Sequence, residues 1–576
     1  MQAEMLMRKR RTMGLGDADI EHQIDTRIPY RTGWPKLPVL HTWTCMEGDP
    51  KKYIPEYDKV ADKVRSILRK RNLNSRDIIA CHRLPYGVES KEANIATATL
   101  LIITDFDGGN YISATRDIRK YLASRNLHIC IEILDRKTFK LKTFAILPSE
   151  KKLVERWGHG LRNDLIAILT HSGLKWTSIS MFRRGYESTR EKCPATIVIG
   201  AVDPSDAKWQ EKIIPQIREK CKDDLAIEVT HQNRSSFVIT EGEEHSAGRN
   251  LNPRHFVRKI KMGTSCGAHD VMESATFGGM IRLKKWKEDI GTFVLSTHNG
   301  LMSDCLEKAT SGGKSLSPND KVVTEEKLRV DCPSDHDTNT ILESTKTHID
   351  DTKELLRRER KKAGTWKNWF STEHQAQTEI ANELQYEVKD LMNIQQSIES
   401  FDRRAGHMYA SSGYRVRGVS RCPLDWSLTK LLDNRSMRNG LEGREVPDGM
   451  TLTSMNTWRK LDFRGRHVAK FGRSSHWTHG TINGVESVFS GFEFPYNGMF
   501  TCWPVVPETD TFAQPGDAGS LVLDAADRSH TQGAWLGLLM GSDTIHGIGY
   551  LTPVYAVFAD IEETTGCSIV EPSEVT

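Results

Sequence analysis

Near its C-terminal end the chain reads Gln514-Pro515-Gly516-Asp517-Ala518-Gly519-Ser520-Leu521-Val522. This is a glycine-rich turn with an alanine at its centre, and the methyl group of that alanine cannot attack a carbonyl carbon. A motif this short can occur by chance in a chain of 576 residues. Its meaning therefore depends on the segments that accompany it.

Four further segments occur in a fixed order around this turn: residues 274–301, 423–431, 468–483 and 535–541. Together with the turn they resemble the chymotrypsin/trypsin-like serine peptidases (PA-clan fold). The amino-acid sequence of residues 468–483 is most similar to that of the corresponding strand in intracellular trypsin-like proteins of filamentous fungi. The resemblance gives the chain order base, aspartate, nucleophile, which excludes the α/β-hydrolase and subtilisin arrangements.

The resemblance assigns a role to each position of a degenerate catalytic triad. The nucleophile position is Ala518, the base position is Asn299, and the orienting aspartate is Asp425. His298 precedes the base position by one residue, so we expect it to point to the opposite face of its strand. The backbone N–H groups of Gly516 and Ala518 would form the oxyanion hole.

The resemblance also locates a specificity pocket. Phe512, six residues before the nucleophile position, would fill this pocket or give it an apolar floor. The strand that contains Leu539, Met540 and Gly541 would form its wall. A bound peptide is therefore expected to use an apolar anchor residue, and an extended segment could pair with the edge of that strand.

Loss of the nucleophile or of the base alone costs about a millionfold in turnover, so we expect the chain as written to be inactive. Its expected role is then the binding or regulation of a protein or extended peptide, which could be its own N-terminal half held in an autoinhibitory manner. The alternative is an active intracellular serine endopeptidase in which alanine replaces a natural serine. Its triad would be His298, Asp425 and position 518, provided that a β-bulge reorients His298. A structural scaffold that never binds peptide is a third hypothesis.

The N-terminal half contains a repeat. Two apolar strands with an amphipathic helical pattern between them occur at 97–134 and again at 195–230, with an offset of 96 to 97 residues. We therefore expect two duplicated small α/β modules, at 51–150 and 151–245, after a partly disordered tail at 1–50. Arg83 and Arg184 occupy equivalent places in the repeats, and a salt bridge within each module is favoured over a ligand site.

The expected fold class is α+β multidomain, with a trypsin-like double β-barrel at 250–565. The number of residues between His298 and Asp425 is about twice what a compact domain of this kind requires, and the additional residues show the spacing of a helix. Apolar residues recur every three or four positions along two successive stretches. They predict a helical, coiled-coil-like hairpin at 330–402, inserted in the barrel domain.

Composition limits the partners. The 80 Lys and Arg residues and 76 Asp and Glu residues nearly balance, so the total charge does not indicate nucleic acid. No run of 18 apolar residues predicts a membrane span, and no apolar segment follows the basic run Arg8–Arg11 as a secretory signal would require. Eleven scattered cysteines are typical of reduced thiols in the cytoplasm, with nuclear import only weakly indicated. No motif indicates a cofactor or a metal.

Overall fold

The computed structural model describes residues 10, 20, 22–26, 30–37, 42–85, 90–105, 110–222, 224–232, 256–363, 372–419, 421–439, 462–492, 494–525, 533–544 and 546–570. Within these ranges, no helix combines the length and the apolar character needed to cross a lipid bilayer. The chain divides into an N-terminal unit, Met1–Ser236 with Ser487–Glu493, and a C-terminal unit, Phe237–Glu486 with Phe494–Thr576.

The N-terminal unit begins with module 1, a five-stranded sheet with two helices. Its elements are β1 (Arg31–Trp34), β2 (Thr42–Cys45), α1 (Tyr57–Lys70), β3 (Ser75–Pro85), β4 (Ala98–Thr104), α2 (Tyr111–Ser124) and β5 (Cys130–Asp135). The strand order is β1-β5-β4-β3-β2, in which β4 and β5 are parallel and the other neighbours antiparallel. Helices α1 and α2 bury one apolar stripe each, because their buried residues recur at a spacing of three or four.

The elements of module 2 follow the order of module 1, except that no described strand takes the place of β1 and two helices stand where module 1 has α1. They are β6 (Lys142–Phe144), α3 (Lys151–Arg156), α4 (Arg162–His171), β7 (Trp176–Gly185), β8 (Ala195–Ala201), α5 (Ile214–Cys221) and β9 (Ala226–His231). Strands β7 and β8 are antiparallel, and β8 and β9 are parallel. The ladders β3/β4 and β7/β8 even share a bulge, directly after Ser75 in one and directly after Trp176 in the other. Such a shared irregularity indicates that the two modules are structural repeats.

Strands β1 and β2 lie in the segment for which a tail was expected. Their ladders with β5 and β3 make them the two edge strands of the module 1 sheet, where they pair with backbone groups that would otherwise be unpaired. Residues 31–34 and 42–45 of the expected, partly disordered tail at 1–50 are therefore strands.

The C-terminal unit is mostly β-structure. Its first strands are β10 (Lys259–Lys261), β11 (Ser265–Ala268), β12 (Ala275–Thr276), β13 (Gly279–Lys285), β14 (Glu288–Ser296), β15 (Arg329–Asp331), β16 (Arg404–Ser411), β17 (Arg415–Arg417), β18 (Cys422–Leu424), β19 (Ser427–Leu431) and β20 (Ser436–Arg438). The later strands are β21 (His467–Gly472), β22 (His476–Ile482), β24 (Phe500–Pro507), β25 (Leu521–Asp524), β26 (Trp535–Asp543), β27 (Ile548–Pro553) and β28 (Ser568–Val570). Strand β23 (Ser487–Phe489) lies between β22 and β24 in the chain. Its helices are α6 (Asp304–Thr310), α7 (Lys321–Thr324), α8 (Asp335–Ala363), α9 (Thr372–Glu399) and α10 (Val554–Thr565).

Eight of these strands form a half-barrel in the order β12-β11-β15-β16-β19-β14-β13-β28. Six others, β22-β21-β25-β26-β27-β24, form a closed barrel because β24 also pairs with β22. The α+β class is thus confirmed, and the closed barrel and half-barrel agree with a double-barrel architecture. Strand β23 differs from the expected boundaries: it belongs to the N-terminal unit, where Val488 pairs with Ile179 of β7.

The segment between β15 and β16 contains α8 and α9, two helices of 29 and 28 residues that pack against each other. Buried apolar residues recur along both helices: Ile341, Ile349, Leu356, Ala381, Val388 and Ile398. The two bases are tied to each other, because Arg403 after α9 donates to Asp335 at the start of α8, and to the half-barrel, because the N–H of Asp270 after β11 donates to the same carboxylate. The pair is therefore a hairpin anchored at its base.

Candidate active site

The turn that contains Ala518 has a rigid backbone. Gly516 and Gly519 have positive φ angles of 91° and 95°. The carbonyl of Ala518 accepts a hydrogen bond of 2.8 Å from the N–H of Thr276, and the N–H of Gly519 donates to the carbonyl of Leu539 at 2.8 Å. A Cβ atom on Gly519 would lie 2.2 Å from the carbonyl oxygen of Thr276. Glycine is therefore required at 519 both for its φ angle and for space.

Asp517 anchors this turn from inside the barrel. Its side chain is fully buried and forms an ion pair of 2.8 Å with Lys470, which is also fully buried. It accepts further hydrogen bonds from the hydroxyl of Ser475 at 2.6 Å and from the N–H groups of Ser474 and Gln514 at 2.9 Å. Burial would raise the pKa of Asp517, but the charge of Lys470 and these donors hold it below its ordinary value. The carboxylate thus links the turn to the β21–β22 hairpin.

A second buried ion pair lies against the turn. Arg473 donates to Asp337, in the first turn of α8, and both side chains are buried. A Cβ atom on Gly516 would lie 2.2 Å from two nitrogens of the Arg473 guanidinium, so only glycine permits this approach. Over the described residues, the N–H groups of Gly516 and Ala518 donate to no acceptor. Both residues are buried, so a bound oxygen atom could accept from these N–H groups only after the neighbouring atoms move.

The base position carries no imidazole. The N–H of Asn299, at the start of the short turn Asn299–Leu301, donates to Asp425 Oδ1 at 2.7 Å, although 126 residues separate the two in the chain. The side-chain oxygen of Asn299 accepts a hydrogen bond from the hydroxyl of Tyr414. An amide has no basic nitrogen, so this arrangement can bind but cannot take a proton.

His298 points elsewhere. Its ring is fully buried, and Nδ1 lies 2.7 Å from the hydroxyl of Ser411 in the half-barrel. No described group bonds to its Nε2 atom. Burial lowers the pKa of His298 to about 3, so the ring is neutral at physiological pH. Its contact with Asp425 is through the backbone, where the N–H of His298 meets the carbonyl of Asp425 at 3.2 Å.

Asp425 is buried without a cationic partner in the described part of the chain. Burial raises its pKa to about 7, and the N–H of Asn299 opposes this shift only in part. Tyr496 lies nearby, and its ring contacts that of Tyr414 at 5.6 Å. The aspartate that would orient a base therefore has a backbone hydrogen-bond donor but no counter-ion among the described residues.

We expect Asp425→Asn to stabilise the protein above neutral pH. In the unfolded chain Asp425 ionises near its ordinary pKa of 3.8, whereas in the folded chain it stays protonated up to about 7. Folding stability should therefore fall as pH rises from 4 to 7, and asparagine removes this loss while keeping an acceptor for Asn299. Urea unfolding should show a gain of about 2–4 kcal/mol at pH 8 and little change at pH 4.

The matched control is Asp433→Asn, since Asp433 is an exposed aspartate of the same unit. Because burial keeps the His298 ring neutral, His298 lowers folding stability in acid, which is the opposite pH dependence. This contribution is the same in the unchanged chain and in both variants, so it cancels in the comparison. Equal effects of both substitutions at pH 8 would contradict a buried, unpaired Asp425.

The residues assigned to the pocket lie inside the closed barrel. Phe512 is fully buried in a core cluster that includes Val468 and Val505, so it fills the interior. Leu539, Met540 and Gly541 belong to β26, which is buried at every residue. An extended peptide could pair with this strand only after the atoms that cover it move.

The last residues of strand β26 nevertheless pair with a described strand along one edge only. Its pairing with β25 ends at Leu538, whereas its pairing with β27 continues to Asp543. Residues 540–543 therefore have a described strand neighbour on one side only, which is the geometry that strand addition requires.

Sequence reasoning missed Lys470, Arg473, Ser411, Tyr414 and Tyr496. The segment 468–483 was identified, but nothing local shows that Lys470 and Arg473 point inward. A further unpredicted cluster contains His269, Asp331 and Asp335, whose donor atoms lie within 4.8 Å of one another. Arg329 and Arg403 already neutralise its two carboxylates, so it is an ion-pair network.

Comparisons with known proteins add little to this geometry. No family model and no curated protein matches the chain. Among solved structures, the crystal structure of a chymotrypsin from Cellulomonas bogoriensis is similar at 16% identity, with 25% of this chain and 69% of that chain covered and a TM-score of 0.16. A likeness at this TM-score carries no argument about fold or function.

Proposed function

We propose that the C-terminal unit is a chymotrypsin/trypsin-like serine peptidase homologue, of the type found inside filamentous fungi, that has lost catalysis and serves in binding or regulation. The observation that carries this proposal is the hydrogen bond from the Asn299 N–H to Asp425 Oδ1. It supports position 299 as the base position, because the main chain there contacts the aspartate, and the side chain at 299 is a carboxamide with no basic nitrogen. Ala518 supplies no hydroxyl.

The rival, an active endopeptidase with His298 as the base, requires the imidazole to lie beside the carboxylate of Asp425. Its Nδ1 atom instead bonds to Ser411, and only its backbone meets Asp425. The geometry therefore supports the inactive homologue. The eleven cysteines are all free, which favours a reducing, intracellular compartment for this function.

Binding without cleavage follows from what the site retains. Once the atoms that cover them move, the N–H groups of Gly516 and Ala518 would donate to a peptide carbonyl and residues 540–543 would offer main-chain groups for pairing. Main-chain pairing gives affinity for an extended segment without strong dependence on its sequence. The partner class is therefore an extended peptide segment of a protein.

A peptide library incubated with the purified chain tests both parts of this function. Peptides retained by the chain should be recovered intact by mass spectrometry, because no nucleophile is present. The matched control is Ala518→Lys, whose long side chain would occupy the place of a bound carbonyl. Saturable binding to the unchanged chain and its loss in this variant are expected; because Ala518 is buried, binding is measured at a temperature at which circular dichroism shows the variant to be folded. Cleaved peptides would restore the endopeptidase hypothesis, and no binding would leave the scaffold hypothesis.

A further inference from the structure

The hairpin of β13 and β14 ends in a turn of two residues, Trp286 and Lys287. The strand ladder continues up to the pair of Lys285 and Glu288, so the turn is the outermost point of the two strands. Trp286 is 97% exposed. Tryptophan is highly buried on average because its indole ring is large and mostly apolar. The core of the C-terminal unit therefore gains almost nothing from this ring.

The backbone at Trp286 is also strained. Its φ angle is 58°, and it is the one turn residue of the two with a positive φ. A two-residue hairpin turn with a positive φ at its first position normally has glycine there. A bulky side chain in this region of φ costs free energy, and such strain is concentrated at functional sites. The turn thus holds a tryptophan where folding favours glycine.

The charges around the ring are mostly positive. Three lysines flank it in the chain: Lys284, Lys285 and Lys287. Within the described part of the chain, their side chains form no hydrogen bond or ion pair. Of the two acids that follow, Asp289 is paired with Arg282, which leaves Glu288. The tip of the hairpin therefore presents three positive charges against one negative charge.

This combination fits a membrane surface better than a protein or a nucleic acid. Protein interfaces are depleted in lysine and acidic residues, and an aromatic anchor there is usually surrounded by contacts that exclude water. Single-stranded nucleic acid stacks on several rings along a basic groove, whereas this tip is convex and has one ring. At a bilayer, tryptophan lies at the level of the headgroups and lysine side chains extend to the lipid phosphates.

We propose that the tip of this hairpin, residues 284–287, docks the C-terminal unit on membranes that contain anionic lipids. Trp286 enters the headgroup layer, and the three lysines interact with the negative charges of the lipids. Docking of this kind places the protein on the membrane surface and requires no spanning helix.

The docking tip is separate from the turn at Ala518. Gly278, directly before β13, lies beside that turn, because a Cβ atom on it would be 2.3 Å from the carbonyl oxygen of Gly519. Trp286 follows eight residues later, a span of about 25 Å in extended chain. Membrane docking and peptide binding can therefore be tested independently of each other.

Co-sedimentation of the full chain with lipid vesicles tests the role of the lysines. We expect saturable binding to vesicles of phosphatidylcholine with phosphatidylserine, and much weaker binding to phosphatidylcholine alone. Lys285→Gln/Lys287→Gln should weaken binding by about 25-fold, or about fivefold for each lysine. The matched control is Lys308→Gln/Lys346→Gln, which removes the same charge from exposed lysines on α6 and α8. Equal weakening by both double variants, or equal binding to both kinds of vesicle, would overturn the role of the lysines.

The variant Trp286→Gly tests the role of the ring. It should weaken binding to the anionic vesicles by at least about tenfold, because the apolar group that enters the headgroup layer is lost. Its melting temperature should be unchanged or higher, since glycine adopts a positive φ without strain. A lower melting temperature would show that the ring serves folding. The absence of binding to either kind of vesicle up to about 5 mM lipid would overturn the membrane site.

Discussion

The double variant Asn299→His/Ala518→Ser should react with a fluorophosphonate probe, whereas the unchanged chain and both single variants should not. A serine at 518 would lie in a turn whose positive-φ glycines and Asp517 anchor are in place. A histidine at 299 would keep the backbone contact with Asp425. Because loss of either partner alone costs about a millionfold, we expect the double variant to be labelled at least about a thousandfold faster than either single variant.

Adding Asp425→Asn to the double variant serves as the control, because an amide would orient the new histidine in the wrong tautomer. Labelling should then fall again. Strong labelling of Ala518→Ser alone would show that His298 acts as the base. A folded double variant without label would show that 299 is not the base position.

The substitution Lys470→Met should destabilise the C-terminal unit by about 3–5 kcal/mol, because it leaves the buried carboxylate of Asp517 without its counter-ion. Methionine has a similar length and keeps the packing near Phe512, whose ring lies 5.8 Å from the Lys470 ammonium. The remaining donors to Asp517 are neutral and cannot replace the charge. Urea unfolding of the purified chain measures the loss.

The pH dependence of this loss has a definite sign. With Lys470 present, the pKa of Asp517 lies below its ordinary value; without it, burial should raise that pKa. Protonation of Asp517 in acid then removes the unpaired buried charge of the variant. Its loss of folding stability should therefore be larger at pH 8 than at pH 5. The control Lys470→Met/Asp517→Asn removes both charges and should recover most of the stability. A deficit that is equal at both pH values would show that lost packing, and not lost charge, is responsible.

Local patterns determined much of this protein from the sequence by itself. Apolar runs and three-to-four spacing predict the strands and helices of both halves, because side-chain period follows directly from backbone geometry. The glycines of the turn predict its positive φ angles, since other residues adopt them only with strain. The one-residue offset of His298 predicts that its ring and the side chain of Asn299 point in different directions, but the reason expected from the sequence, alternation along a strand, does not apply because His298 lies after the end of β14.

Only the tertiary structure decided the electrostatics and the partners in space. Lys470 and Asp517 are 47 residues apart, and Arg473 and Asp337 are 136 apart, so no local pattern shows that they meet in the interior. The strands β1, β2 and β23 are short, and their place depends on which sheet edge offers free backbone groups. The pKa of Asp425 likewise follows from burial, which arises from packing between distant segments and cannot be read from the residue itself.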